Sequence, residues 1–365
     1  MTRVHGKSSN RLYRLDTDQG SFAVKELNLV DRRWTYHADD VFRFEQAAFA
    51  AGIPMPEPIS ADPDVLVHRW VEGDRLPEAP VPAAFAFEIG EILARIHALD
   101  VQWTHVPLED PTPRDWPELA EQAAATGQPW ADELASHVET FLAIAHFVDT
   151  CERPGPVVVT HKDIRPWNLL ARDGRPVVLD WELSGTLELA SELGSTALSV
   201  AKGPGLDDIE PVVFRSVLDG YVAEGGALPP SGPSWFVFMI EGWLGFTRWN
   251  ILRCLAGVEP PTGPGLTMVH EEVRNGLHGL PDMFGRLPEL ADRLDIRPER
   301  PHGHAPTPGR RAATAHDELS TPSGRGRFVG SAGADAEGSR LTCWYVRPDR
   351  IHGGTPAAAV GARAR

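Results

Sequence analysis

The chain of 365 residues is 42% apolar and contains 34 glycines and 33 prolines. This is enough to build two buried cores, and it excludes a peptide, a fibre and a fully disordered protein. Its 35 basic and 51 acidic residues give a net charge of −16, which repels nucleic-acid phosphates and attracts cationic partners. Its three cysteines are too widely spaced for a disulfide framework or paired metal ligands. We expect a protein of the reducing cytoplasm that does not bind nucleic acid.

The apolar segments are too short for membrane insertion. No signal-peptide core follows the first residues, and the most apolar stretch, 235–244, carries Glu241 in its middle. That stretch falls well short of the about 20 uninterrupted apolar residues that a membrane helix needs. We therefore expect no membrane partner and a buried helix at 235–244.

In chain order, the N-terminal part predicts strands and then helices. Residues 11–27 alternate apolar and polar side chains around an Asp-Gln-Gly turn, which is typical of a β-hairpin. Apolar residues over 39–51 have helical spacing, and a glycine followed by prolines ends this predicted helix. Residues 65–71 predict a further strand, and residues 82–99 predict a long helix. We place the end of this first lobe at residue 74.

Helical patterns dominate over 75–298, the second predicted lobe, and a compact β segment at 157–180 interrupts them. The last 65 residues contain 10 glycines and 6 prolines and few large aliphatic side chains. We therefore expect a disordered tail over 299–365. The last 65 residues also carry nine arginines against five acidic residues, which leaves residues 1–300 with a net charge of −20.

The segment 157–182 brings polar side chains to one end of a predicted hairpin. A β run ends just before Asp163, a proline keeps the next loop out of a helix, and Asn168 opens a short strand that turns back at an Asp-Gly pair. Pairing centred on that turn places Asn168 opposite Leu179 and close to Asp180, so that both polar side chains reach one cation. Their oxygen atoms suit a hard divalent metal.

Asp163 completes a layout for phosphoryl transfer. A carboxylate beside the metal is placed to orient or deprotonate an attacking hydroxyl. This chemistry also needs a lysine on an interior strand for the nucleotide phosphates and a helical carboxylate that holds the lysine. Lys25, in the strand SFAVKEL, and Glu45, in the helix VFRFEQAAF, fit these two roles.

These motifs resemble those of the aminoglycoside phosphotransferase and choline kinase-like family, over residues 5–290. The family motif H-x-D-x-x-x-x-N is met by His161, Asp163 and Asn168, and the family's metal-binding aspartate by Asp180 in Leu-Asp-Trp-Glu. The chain departs from the family at Lys162, where glycine is common, and at 165–167, Arg-Pro-Trp. We expect the bulk of Trp167 to reshape the acceptor site.

The resemblance implies an α+β, bilobal protein-kinase-like fold. An antiparallel-sheet lobe over 1–74 would bind the nucleotide, and a mostly helical lobe over 75–298 would hold the catalytic and substrate-binding residues. The implied metal is Mg2+, and the implied phosphate donor is ATP or GTP. The resemblance implies that Ser9 contacts a phosphate, that Lys25 is the phosphate clamp and that Glu45 is the ion-pair partner of Lys25. It also implies that the backbone around Trp70 contacts the adenine. Asp163 would be the catalytic base, and Asn168 and Asp180 would be the Mg2+ ligands.

Some of these residues also have a purely structural interpretation. Ser9 lies in a polar stretch that is equally typical of an ordinary turn. We expect His161 to tie its loop to backbone carbonyls rather than to take part in chemistry. The aromatic run over 235–249 predicts a helix core, although Glu241 within it could face an acceptor cleft.

The resemblance implies transfer of the γ-phosphate to a hydroxyl of a small molecule. The acidic body favours a cationic acceptor, such as an aminoglycoside or a similar aminated antibiotic, and hence a role in antibiotic resistance. Alternatives are a metabolic kinase of choline, ethanolamine or an amino sugar, and a catalytically silent nucleotide-binding protein. A protein kinase is disfavoured because no activation loop is recognisable. We expect a monomer or a weak homodimer.

Overall fold

The computed structural model describes residues 1–4, 10–27, 38–62, 64–76, 80–104, 112–153, 155–203, 207–257 and 265–294. Within these ranges the chain forms antiparallel sheets followed by a mostly helical second half, which confirms the predicted α+β class. None of the helices in these ranges is long and apolar enough to span a bilayer. The predicted tail lies outside the described residues, and the lobe boundaries at 74 and 298 stay predictions.

The N-terminal sheet contains five described strands: β1 Thr2–Val4, β2 Arg11–Thr17, β3 Gly20–Glu26, β4 Pro58–Ala61 and β5 Val65–Arg69. They pair antiparallel in the order β1-β2-β3-β5-β4. The predicted hairpin is confirmed as β2 and β3, and Gly20 at its turn has a φ of +114°, which favours glycine. Lys25 therefore lies on an interior strand, opposite Leu12 and Leu66, with its side chain buried.

Helix α1, Ala38–Ala50, packs beside β4 at the edge of this sheet. Val41, Phe44 and Ala48 are buried at helical spacing, and they define the face that meets the core. Glu45 lies on that same face with 1% of its surface exposed. The helix thus carries one carboxylate into the interior, where it needs a polar partner.

Eight further helices of the described ranges form the rest of the structure: α2 Ala83–His97, α3 Trp116–Ala125, α4 Ala131–Thr150, α5 Leu189–Ala201, α6 Pro211–Ala223, α7 Val237–Ala256, α8 Leu266–Gly285 and α9 Leu287–Arg293. The predicted buried helix is confirmed by α7 and the short 3-10 turn before it, where Trp235 and Phe236 are almost fully buried. Large aromatic side chains therefore fill this core.

Helices α2 and α6 approach each other through a reciprocal pair of glycines. A Cβ atom on Gly90 would lie 2.0 Å from the carbonyl oxygen of Val217, and one on Gly220 would lie 1.9 Å from that of Phe87. Because carbonyl oxygens of the backbone cannot move aside, only glycine fits at either position. Backbone contact of this kind fixes the distance between the two helices.

Five short strands complete the described fold: β6 Asp74–Arg75, β7 Val157–Thr160, β8 Leu169–Arg172, β9 Arg175–Val178 and β10 Gly185–Glu188. They form one sheet in the order β6-β8-β9 and a ribbon of β7 with β10. The β8–β9 turn has a positive φ at both Asp173 and Gly174, as a type I′ turn requires. The predicted register is confirmed, because the Leu179 N–H donates to the Asn168 carbonyl at 2.8 Å.

A backbone hydrogen bond joins the turn after α1 to this hairpin. The N–H of Val178, at the end of β9, donates to the carbonyl oxygen of Pro54 at 2.8 Å. The turn itself follows Gly52, whose φ is +75°. The segment between helix α1 and strand β4 is therefore anchored beside the strand that leads to Asp180.

Candidate active site

The loop after β7 brings Asp163 and Asn168 into direct contact. The 3-10 turn Pro166–Asn168 reverses the chain, and the side-chain amide of Asn168 donates to Asp163 Oδ2 at 2.7 Å and to the Asp163 carbonyl at 3.0 Å. Both side chains are buried. Because the Asn168 Nδ2 donors are engaged by Asp163, its Oδ1 is the atom oriented away and left for a cation.

Arg165 holds the other oxygen of the Asp163 carboxylate. Its Nε donates to Asp163 Oδ1 at 2.5 Å, and both side chains are buried. Burial raises the pKa of Asp163, and the charge of Asp180 raises it further, while Arg165 and Asn168 act in the opposite direction. No role was predicted for Arg165, although its place two residues after the predicted base was a usable signal.

His161 has the structural role that its sequence context predicts. Its Nδ1 accepts the backbone N–H of Asp163 at 3.2 Å, which leaves Nε2 to donate to the Leu179 carbonyl at 2.9 Å. Burial lowers its pKa to about 4, so the ring is neutral at neutral pH. The imidazole therefore ties the loop that carries Asp163 to the residue preceding Asp180.

Asp180 follows β9 in a left-handed conformation, with a φ of 62°, which aspartate tolerates better than most residues. Its Oδ1 accepts a hydrogen bond of 2.9 Å from Lys25 Nζ, and 43% of its side chain stays exposed. Burial opposes ionisation of this carboxyl, but the charge and hydrogen bond of Lys25 outweigh it, and the pKa of Asp180 lies below its ordinary value. Asp180 is thus an anion at neutral pH.

Lys25 has a second carboxylate partner, Glu182. Burial opposes the charged form of the lysine, yet the two carboxylates together raise its pKa. Burial and the charge of Asp180 raise the pKa of Glu182, and Asn10 Nδ2 donates to Glu182 Oε1 at 3.3 Å. Glu182 ends the Leu-Asp-Trp-Glu motif, but it was not predicted to be part of the site.

The predicted ion pair between Lys25 and Glu45 is wrong for this structure. The ammonium bonds Asp180 and Glu182 instead, and Glu45 Oε1 bonds Nε2 of His68 on β5 at 3.1 Å. The physical reason is proximity, since β5 lies between β3 and β4 and supplies its own polar partner to the buried face of α1. Glu45 is near the site but is held by a histidine.

The two remaining nucleotide contacts are not decided by the geometry. Ser9 lies outside the described residues. The backbone N–H of Trp70 donates to the Ser21 carbonyl at 2.9 Å, and the guanidinium of Arg14 lies 5.0 Å from the centre of its ring. Because that N–H is already used, only the Trp70 carbonyl and the rest of 68–71 could meet an adenine, and this contact stays a prediction.

The donor set at this site fits a hard divalent cation. Asn168 presents an amide oxygen, and Asp180 presents the carboxylate oxygen that Lys25 does not bond. In the described part of the chain there is no cluster of three or more His, Cys, Asp or Glu with the arrangement of a metal site. Phosphate and water oxygens would therefore supply the remaining ligands of such an ion, as is common for Mg2+.

Comparison with known proteins decides the family. The family model of the phosphotransferase enzymes (APH) matches residues 1–226. The chain belongs to this phosphotransferase family. The match includes every residue of the site just described, from Asn10 to Glu182. It confirms the family resemblance drawn from the sequence.

Solved structures support the bilobal, protein-kinase-like fold of this phosphotransferase. A spectinomycin phosphotransferase, solved with ADP and spectinomycin, is 12% identical with a TM-score of 0.54, over 81% of this chain and 93% of that one. A choline kinase from Cryptosporidium parvum is 13% identical with a TM-score of 0.53, over 80% and 92%. An ethanolamine kinase from Plasmodium vivax is 13% identical with a TM-score of 0.51, over 77% and 82%. No curated protein sequence matches the chain significantly.

Proposed function

We propose that this phosphotransferase moves the γ-phosphate of ATP or GTP to a hydroxyl group of an aminated small molecule. The observation that supports the proposal is the proximity of four side chains: Asn168 bonds Asp163, Lys25 bonds Asp180, and the charge of Asp180 acts on Asp163. A base, two oxygen ligands and a buried ammonium are the parts that phosphoryl transfer to an alcohol requires.

Asp163 acts on the acceptor. Its raised pKa makes its carboxylate a better proton acceptor than an exposed aspartate, and the Arg165 and Asn168 bonds fix the direction in which its oxygens point. An acceptor hydroxyl that hydrogen-bonds to Asp163 is therefore held in one orientation for attack.

Lys25, Asn168 and Asp180 act on the nucleotide. The ammonium of Lys25 pairs with the carboxylates of Asp180 and Glu182, and on nucleotide binding it would exchange carboxylate oxygens for phosphate oxygens. Asn168 and Asp180 would hold Mg2+, which supplies charge neutralisation for the phosphates when it is bound. The orientation of the Asn168 amide by Asp163 couples the metal ligand to the base.

The acceptor we favour is an aminoglycoside or a similar aminated antibiotic. The net charge of −20 over residues 1–300 supports a cationic acceptor. Arg165 already neutralises Asp163. An ammonium group two carbons from the reacting hydroxyl, as in choline or ethanolamine, would meet this guanidinium. A larger acceptor can keep its amines away from it.

The second candidate is a metabolic kinase of choline, ethanolamine or an amino sugar. It is supported by the choline and ethanolamine kinases among the structures of similar fold. Both candidates act on an aminated alcohol, so the shared chemistry does not depend on the choice between them. They differ in how far the amine lies from the reacting hydroxyl.

A substrate panel tests the proposal. Purified protein with magnesium and ATP or GTP is offered aminoglycosides, spectinomycin, choline, ethanolamine and amino sugars, and phosphorylated products are identified by mass spectrometry. Asp163→Asn should lower kcat by about a thousandfold. Asp173→Asn, at the exposed β8–β9 turn, is the matched control and should retain activity, because asparagine tolerates the left-handed conformation. Magnesium-dependent nucleotide binding with no transfer to any acceptor would favour a silent protein instead.

A further inference from the structure

The loop that carries Asp163 leaves one large side chain exposed. Within residues 161–168, all of which the structure describes, Trp167 is the only exposed residue. Its exposed fraction is 45%, while Asp163, Arg165 and Asn168 are buried. Single exposed apolar residues are common on protein surfaces and carry no meaning by themselves. Trp167, however, lies between the predicted base and a predicted metal ligand.

The backbone fixes the place of Trp167 in the loop. It is the middle residue of the 3-10 turn Pro166–Asn168, and across that turn the N–H of Asn168 donates to the Arg165 carbonyl at 2.9 Å. The proline that opens the turn restricts its own φ and so stiffens the turn. The residue after Trp167, Asn168, bonds Asp163 Oδ2 at 2.7 Å. The indole is therefore held on a stiff turn whose next residue contacts the base.

Arg165 contacts both the indole and the base. Its guanidinium carbon lies 5.7 Å from the centre of the Trp167 ring, within the range of a cation–π interaction. Its Nε donates to Asp163 Oδ1 at 2.5 Å, and the arginine side chain is buried. Because this cation is buried, it meets the indole from the protein side. The exposed part of the ring is therefore directed to solvent.

The buried guanidinium makes this aromatic surface a poor site for a second cation. An indole attracts cations through the negative face of its ring, and Arg165 already uses that attraction. An ammonium group held against Trp167 would gain little from the ring and would be repelled by the guanidinium. Acyclic amino alcohols, whose ammonium lies two carbons from the hydroxyl, therefore fit this surface poorly.

The C–H face of a saturated ring fits the same surface well. The carbon-bound hydrogens of a sugar or cyclitol form an apolar patch, and its hydroxyl groups project at the rim. Covering the exposed part of the indole with such a patch removes apolar surface of both partners from water. Ligand sites commonly combine an aromatic side chain with a few polar groups that fix the orientation. Here Asp163 is the polar group that a rim hydroxyl would bond.

We propose that Trp167 is the acceptor platform, which stacks against the C–H face of the sugar or cyclitol ring that bears the reacting hydroxyl. This role rests on the proposed function, and it narrows the acceptor to a cyclic one, as in aminoglycosides and amino sugars, to the exclusion of choline and ethanolamine. Trp167 contributes to acceptor binding and takes no part in the movement of protons or phosphate. Amino groups elsewhere on the ring system are attracted by the acidic body, whose net charge is −20 over residues 1–300.

Two substitutions test the platform. Trp167→Ala removes it, and Trp167→Phe keeps an aromatic ring in its place. The matched control is Phe49→Ala, which removes another aromatic side chain, 41% exposed, near the end of α1. Each protein is assayed with magnesium and ATP against kanamycin, spectinomycin and glucosamine as cyclic acceptors, and against choline and ethanolamine as acyclic ones.

The expected change is in the binding of cyclic acceptors. Trp167→Ala should raise the KM for these acceptors by about tenfold or more, because the buried contact with the ring is lost. Its kcat should stay within about threefold of the wild type and its KM for ATP within about twofold. Trp167→Phe should recover most of the loss, since it restores an aromatic surface. Phe49→Ala should match the wild type in all three quantities.

Four results would overturn the proposal. The first is a KM for the cyclic acceptors that stays within about twofold of the wild type in Trp167→Ala, and the second is an equal rise of this KM in Phe49→Ala. The third is a fall in kcat at unchanged KM, because Trp167 would then act through Arg165 on the base. The fourth is a wild type that prefers choline or ethanolamine, which would refute the platform and leave the proposed transfer to an aminated alcohol intact.

A binding measurement decides the matter even if no acceptor is phosphorylated. In that case the proposed function is refuted, and saturation-transfer difference NMR of kanamycin is recorded with each protein, magnesium and a non-hydrolysable ATP analogue. Signals of the ring C–H protons that appear with the wild type and Phe49→Ala, and disappear with Trp167→Ala, would support the platform. Absence of these signals with the wild type, or equal signals with Trp167→Ala, would refute it.

Discussion

Replacing Glu192 by glutamine should make the protein more stable at alkaline pH. Burial raises the pKa of Glu192 from its ordinary value of 4.5 to about 7, so the folded state binds this proton more tightly than the unfolded state. The stability contribution of the carboxyl therefore falls as pH rises from 4.5 to about 7. A tenfold difference in proton affinity is worth about 1.4 kcal/mol, which gives a cost of about 3 kcal/mol for the ionised form at pH 8.

The assay is thermal unfolding of the wild type and Glu192→Gln in parallel between pH 5 and pH 8. At pH 8 we expect the variant to melt about 5–10 °C above the wild type. The difference should shrink as pH falls, because the wild-type carboxyl becomes neutral, and the pH effects of all other groups cancel between the two proteins. A melting-temperature difference that is the same at pH 5 and pH 8 would refute the buried, ionisable state of Glu192.

Three further substitutions test the rest of the structure. Lys25→Met should raise the KM for the nucleotide by about tenfold or more, since a charge-assisted bond to phosphate is lost, and titration with a fluorescent nucleotide measures this. Asp180→Asn should raise the magnesium concentration needed for half-maximal activity, whereas an unchanged requirement would place the metal elsewhere. Gly220→Ala should destabilise the fold by about 3 kcal/mol in urea unfolding, because its methyl group meets the Phe87 carbonyl; an unchanged midpoint would contradict the close helix contact.

The parts of the site that local sequence determines could be predicted. The Asp-Gly turn and the alternation on both sides of it set the register of β8 and β9, and this register alone brings Asn168 opposite Leu179. The interior position of Lys25 follows in the same way from the apolar flanks of its strand. In both cases the decisive contacts join residues close along the chain or in one hairpin.

Contacts between distant segments could not be predicted from the sequence. Lys25 and Asp180 are 155 positions apart, and which carboxylate reaches the ammonium depends on how the sheet packs on the hairpin. Glu45 was the reasonable choice by motif, yet His68 was closer. Glu192 was hidden because a glutamate in a helix normally faces solvent, and only the packing of α5 on several sides buries it.

The bond between the Val178 N–H and the Pro54 carbonyl has a mechanical consequence. It joins two main-chain atoms, so that no replacement at Pro54 removes it, and at Val178 only proline would do so, because proline has no backbone N–H. It lies between the turn after α1 and the end of β9, and a single hydrogen bond resists sliding of one segment past the other more than swinging about that point. Any movement of these two segments relative to each other should therefore be a pivot about Pro54 and Val178.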